Sequence, residues 1–202
     1  MGVVQRRERE KAALRQQILG AARELFAKEG YESVSMRRVA EKIEYSPTTI
    51  YLYFRDKEEL VMAICEDMFQ LLTKKLERAL AGQSDPVVRI KAGLKAYVEF
   101  GLKHPDHYRV SLMLPHAHQP GHTLDTRPGE KAFEILVSGV ADCVRARCFR
   151  DGDIMAIAQA LWSAVHGVVS LQIMKGDTEF PWVDRGVLVD LVIDSMIRGL
   201  EP

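Results

Sequence analysis

The chain has 202 residues, 47% of them hydrophobic and 28% charged, with 28 Lys+Arg against 28 Asp+Glu. That composition suits a soluble globular protein of one or two domains, with core enough to fold without disulfides or a metal. Zero formal net charge excludes the whole-chain basic signature of a general nucleic-acid binder. The charge is uneven, however: residues 1–57 carry 12 Lys+Arg and 8 Asp+Glu, which points to an anion-binding surface at the N-terminal end. Three cysteines without a CxxC spacing make no disulfide framework and read as buried free thiols in a reducing cytoplasm.

The first helix is expected from near Arg6 to Lys28. Leu14, Ile18, Ala21, Ala22, Leu25 and Phe26 recur at three and four residues, and Gly30 is a natural stop. The opening charge run lacks the apolar core of a signal peptide. Ser35 caps a short second helix, Met36–Ile43, with Val39, Ala40 and Ile43 on its inner face. A tight turn, Glu44-Tyr45-Ser46, leads into a third helix. Ser46 caps it and Pro47 occupies its first position, where a missing N–H costs nothing. Ile50 and Phe54 face inward together, which leaves Thr48, Thr49, Tyr51 and Tyr53 outside. Two crossed helices joined by so short a turn form a helix-turn-helix, whose second helix enters the DNA major groove.

Asp56 caps a fourth helix reaching Leu80, with a stripe of Leu60, Ile64, Met68, Leu71, Leu72 and Leu76. A fifth helix presents Ile90, Leu94, Tyr97, Val98 and Leu102 inward and stops near His104-Pro105. A shorter helix spans roughly Asp106–Leu114, and Pro115 to Pro128 reads as a loop. The seventh helix covers about Gly129–Arg147. Asp151 or Asp153 caps an eighth that ends near Met174; Gly176 to Pro181 is a loop; the ninth covers about Val183–Leu200. No stretch alternates with period two, so the fold class is all-α, about nine helices and no sheet.

The N-terminal pattern is specific over a long span. It reads Ile18-x-x-Ala21-Ala22-x-x-Leu25-Phe26-x-x-x-Gly30-Tyr31, then Ser35-x-x-x-Val39-Ala40, then Ser46-x-x-Thr49-Ile50-Tyr51-x-Tyr53-Phe54-x-x-Lys57-Glu58-x-Leu60. This resembles the DNA-binding domain of the TetR family of bacterial transcriptional repressors. The resemblance implies a helix-turn-helix domain at 1–57 and a helical effector-binding and dimerisation domain at 58–202, with no enzymatic activity and no cofactor. It matches Tyr51, Tyr53 and Lys57 to phosphate contacts and Thr49 to a common contact position. Thr48, and Ser35 and Arg37 at the start of the second helix, complete the expected surface toward double-stranded operator DNA. Tyr51 or Tyr53 packing against the first helix is the plainer alternative. Arg6, Arg7, Arg9 and Lys11 read either as an arm on DNA or as a solvated charge run. Two positions depart from the family pattern: Glu44 stands where glycine is usual in the turn, and Thr48 where glycine is frequent. A positive φ at Glu44 would cost on the order of 1 kcal/mol.

In the C-terminal part, Trp162-Ser163-Ala164-Val165-His166-Gly167 resembles the Trp…His-Gly feature of one subfamily of these regulators. Tyr97, Phe100, Tyr108, Met113, Phe133, Trp162 and His166 are candidates to line a pocket for a small apolar or aromatic effector. A packed core pair is the alternative for Trp162 and His166. Ile154–Met174 is uncharged and long enough to span a membrane, yet Gln159, Ser163, His166, Ser170 and Gln172 would be costly in lipid. Burial in a homodimer, with the eighth and ninth helices forming a four-helix bundle with their mates, is expected instead. His104, His107, His116, His118 and His122 cluster without cysteines or a clear carboxylate set, so no metal site is assigned. A metal- or redox-responsive regulator of the same fold stays open. So does a helical hydrolase without DNA binding, although Ser163 and His166 have no third group to orient them.

Overall fold

The computed structural model describes residues 3–114 and 129–202. Among these, nine α-helices and one π-helical turn occur and no strand: α1 (Val3–Glu29), α2 (Met36–Lys42), α3 (Pro47–Tyr51), α4 (Lys57–Leu80), α5 (Pro86–Lys103), α6 (Pro105–Tyr108), the π-turn (Arg109–Met113), α7 (Glu130–Arg145), α8 (Ile154–Glu179) and α9 (Arg185–Arg198). The expected loop 115–128, with His116, His118 and His122, lies outside the described residues. The chain forms two compact units, built from the described residues of Met1–Met68 with Asp106–Thr123 and of Phe69–Pro105 with Leu124–Pro202. The boundary thus falls inside α4, and the α6 segment returns to the first unit.

The helices begin where capping chemistry dictates. Ser35, Ser46, Asp85, Asp153 and Asp184 each accept hydrogen bonds from backbone N–H groups of the turn that follows, satisfying donors that have no partner within the helix. Asp56 does the same for α4, accepting from Glu59 N at 2.8 Å. Between the two expected caps of α8, the structure selects Asp153.

Three boundaries differ from the sequence reading. α1 starts at Val3, so Arg6, Arg7, Arg9 and Lys11 lie on a helix rather than in an extended arm, and Arg6 pairs with Glu10 at 2.7 Å. The segment after His104 is one α-turn followed by a π-turn, not a uniform helix. α8 continues past Met174, kinking at Gly176 (φ 61°), where a loop was expected.

The first unit is organised around Ile18, Ala22 and Phe26 of α1, Val39 and Ala40 of α2, Ile50 of α3, Phe54, and Leu60 and Ile64 of α4, all essentially inaccessible. Val110 from the π-turn completes this core. Burying each large side chain stabilises the fold by about 1.5–3 kcal/mol before entropy is counted. The α4 stripe is buried as expected except at Leu71, which is exposed.

In the second unit, α5 packs against α7, α8 and α9. Leu94 and Tyr97, Val140, Leu161 and Val165, and Val189, Ile193 and Ile197 supply the core. Gly129 opens α7 with φ 101°, and a Cβ there would sit 2.6 Å from the Phe69 ring, so only glycine fits this start. Both α8 and α9 leave large apolar side chains exposed: Met155, Leu171 and Met174 on α8, Val187 and Leu191 on α9.

Candidate functional site

The turn between α2 and α3 is a Schellman closure. Tyr45 N–H donates to Ala40 O at 3.0 Å and Glu44 N–H to Glu41 O at 3.2 Å, while Glu44 takes φ 61°. This is the left-handed backbone that the missing glycine had implied. The reversal sets α3 against α2 with Ile50 inaccessible and Phe54 buried. Ser46 Oγ accepts from Thr49 N at 3.2 Å and lies 2.9 Å from Thr49 Oγ1, which ties down the first turn of α3.

With α3 fixed by its inner face, its outer face follows. Thr48 is exposed, Tyr51 is 54% exposed, and Thr49 is half-buried. Tyr53 is half-buried and packs against the core of the first unit, so the plainer packing role applies to part of its ring. Ser35 and Arg37 are exposed at the start of α2; Ser35 Oγ accepts from Arg38 N, and Arg37 pairs with Glu41 at 3.3 Å. Lys57, the first residue of α4, is engaged internally. Its Nζ donates to Tyr31 O at 2.9 Å and sits 4.1 Å from the Tyr31 ring centroid, a cation–π placement. Tyr45 and Leu52, which the sequence reading left aside, are also presented outward. Leu52 lies two positions after Ile50, so helical geometry alone turns it away from the core.

Of the seven candidate pocket residues, Tyr97, Phe133, Trp162 and His166 come together. Trp162 Nε1 donates to Tyr97 Oη at 2.9 Å, and Tyr97 Oη lies 3.5 Å from His166 Nδ1. Phe133 meets Trp162 edge-on with centroids 5.9 Å apart. Burial lowers the His166 pKa, so the neutral imidazole is favoured in the fold. Phe100 stacks on His104 in the same unit, whereas Tyr108 and Met113 belong to the other. An open groove of about 410 Å³ lies elsewhere, between α5 and α9, lined by Lys95, Val98, Glu99, Leu102, Lys103, Arg185, Gly186, Val189 and Asp190.

His107 is buried in the first unit, its Nε2 lying 2.6 Å from Arg23 Nη1 and 3.4 Å from Asp67 Oδ2. No local pattern announces this junction, because its members are 40 or more positions apart. Among the described residues, no three His, Cys, Asp or Glu side chains gather as metal ligands do.

Residues 18–64 match the model of the bacterial regulatory proteins of the tetR family, and residues 90–196 match that of the tetracyclin repressor-like C-terminal domain. The chain belongs to the TetR family. Two curated TetR-type relatives align with most of it. The transcriptional regulator HbdR of Aromatoleum sp. (strain CIB) is 29% identical over 93% of this chain and 80% of its own length. The transcriptional activator FasR of Mycolicibacterium smegmatis is 27% identical over 92% and 78%. In fold, the chain is similar to FadR from Bacillus subtilis in complex with stearoyl-CoA, with a TM-score of 0.76 at 17% identity, covering 92% of this chain and 99% of that one. A TetR-family helix-turn-helix regulator of transcription is thus the class of molecule to which this geometry belongs.

Proposed function

We propose that the protein is a ligand-responsive transcriptional repressor that binds a palindromic operator as a homodimer in the cytoplasm and is released by a small apolar or aromatic effector. The observation that carries the DNA reading is the recognition helix itself: Ile50 and Phe54 anchor its inner side while Thr48 and Tyr51 stand exposed on the other. Thr48 and Thr49 offer hydroxyls and methyls to base edges; Tyr51, Tyr53, Ser35, Arg37 and Lys57 serve phosphates. Lys57 would then hold its post through Tyr31 and reach DNA by exchanging one partner for another.

One head carries little net charge, so tight binding calls for two heads about 34–36 Å apart on one face of the duplex. The exposed Met155, Leu171 and Met174 of α8 and Val187 and Leu191 of α9 support dimerisation through a four-helix bundle. For the effector, the cluster of Tyr97, Phe133, Trp162 and His166 supports an aromatic wall with two polar handles. Because α4 runs from one compact unit into the other, an effector that prefers one setting of α4 would change the spacing of the heads.

The test is operator selection from random duplex DNA, followed by gel shift of the full chain. A palindromic site should emerge, with Thr48→Ala changing sequence preference and Tyr51→Phe weakening all sequences alike. A thermal-shift panel should include aromatic acids, amphipathic cations and a long-chain acyl-CoA, the last because FadR is found with stearoyl-CoA. A hit that also releases the operator supports the repressor reading. One that tightens the complex replaces it with activation, the role carried by FasR. Failure to select any DNA would refute the whole reading.

A further inference from the structure

The C-terminus of α7 closes by the same hydrogen-bond pattern as the DNA-reading turn. Cys148 N–H donates to Cys143 O at 2.9 Å, Arg147 N–H donates to Val144 O at 2.9 Å, and Arg147 takes φ 57°. In this motif the residues joined by the longer bond are those whose side chains frequently meet across the helix end. Here both are cysteines. A 2.9 Å backbone hydrogen bond made directly between two residues limits their Cα separation to at most about 6.8 Å, within the range disulfides use. Both thiols are free, Cys143 inaccessible and Cys148 half-exposed. The chain on either side is held: Cys143 is part of α7, Phe149 is buried, and Arg150 N–H donates to Leu200 O at 2.8 Å. Closing a bond between the two sulfurs therefore calls on side-chain rotation, with the Cys148 thiol leaving its contact with Ala146 O.

We propose that Cys143 and Cys148 form a reversible intramolecular disulfide when the protein meets a hydroperoxide. The half-exposed Cys148 reacts first: its thiolate attacks one peroxide oxygen, the O–O bond breaks, and a sulfenic acid forms as the other oxygen departs, protonated, as water or alcohol. Cys143 then attacks the Cys148 sulfur, the S–O bond breaks, and the Cys143 proton leaves with the hydroxide as water. In total two thiols lose two electrons and two protons, and the peroxide is reduced. Burial, with Cys148 beside it, pushes the Cys143 thiol up to about 12, so Cys143 is not the thiol that meets the peroxide first; in the second step its proton passes to the departing oxygen as the sulfurs join. A dithiol reductant restores both thiols. The site lies entirely in the second unit, and its oxidation requires neither DNA nor effector.

The experiment exposes the reduced full chain to a small excess of hydrogen peroxide, unfolds it with N-ethylmaleimide present and digests it with trypsin. The fragment 132–145 should be recovered joined to 148–150 with the loss of two hydrogens, and free thiols should fall from three to one, with Cys65 alkylated. Dithiothreitol should separate the fragments. Cys148→Ser should abolish the linked species and leave Cys143 alkylated. In Cys143→Ala, Cys148 should progress to the sulfinic acid. Over-oxidised Cys148 beside an alkylated Cys143 in the wild type would overturn the proposal, as would a bridge between two chains or three unreacted thiols.

Discussion

Replacing Glu44 by glycine isolates the strain in the helix-turn-helix. Glu44 sits at φ 61° with its side chain in solvent, and the turn's hydrogen bonds are made by backbone groups that the substitution leaves in place. Holding a Cβ in the left-handed region costs about 1–2 kcal/mol. Glycine removes that cost but frees the unfolded chain, returning about 0.5–1 kcal/mol. The net expectation is a gain of about 0.5 kcal/mol, or about 1–2 °C in melting temperature for a chain of this size. Glu44→Ala is the control. It removes the same carboxylate from the end of α2, where a negative charge opposes the helix dipole, yet keeps the Cβ. Thermal and urea unfolding of the full chain, followed by circular dichroism, should rank glycine above alanine. If alanine equals or exceeds glycine, the turn does not hold a left-handed residue there and the geometry described for α2–α3 is wrong.

Gly129→Ala should destabilise the second unit by at least about 2 kcal/mol, since the residue has φ 101° and the added methyl would meet the Phe69 ring at 2.6 Å; urea unfolding measures it, and an unchanged midpoint would rule out that contact. Tyr97→Phe should cost about 1 kcal/mol by removing the oxygen shared by Trp162 and His166, and should red- or blue-shift the Trp162 fluorescence. Because His166 titrates below its ordinary 6.5 in the fold, the unfolded chain takes up that proton first as pH falls. Its contribution to stability therefore declines from about pH 6.5 down to the folded value and levels off below it, and His166→Asn should flatten this part of the profile in melts between pH 7.5 and 5. Leu191→Glu places a charge on the exposed face of α9 and should convert the proposed homodimer to monomer in light scattering without unfolding the chain; an unaltered mass would move the interface elsewhere.

Local chemistry wrote much of this protein openly. Ser35, Ser46 and Asp56 mark helix starts, and Asp153 is one of two candidates for another, because a side-chain oxygen next to free N–H groups acts within a single turn. Spacings of three and four residues fixed which faces of α1 and α3 turn inward, and the outward Thr48 and Tyr51 then follow. Even the strain at Glu44 was legible, since a turn that tight needs a left-handed residue. The same reasoning failed where partners come from afar. Leu71 continues the α4 stripe in sequence but is left exposed, because a periodic pattern does not say how wide the facing surface is. Lys57 reads as a phosphate contact, and nothing local foretells that the carbonyl and ring of Tyr31, 26 positions earlier, hold its ammonium. Tyr97, Phe133 and the Trp162–His166 pair were nominated by type and spacing; only packing of α5, α7 and α8 brought them into one contacting group and left Tyr108 and Met113 in the other unit. The sequence by itself determined most of the helices, several of their caps and the outward face of α3, because those depend on neighbours within a turn or two. Tertiary structure alone decided which distant polar groups meet, since that depends on how whole helices are set against one another.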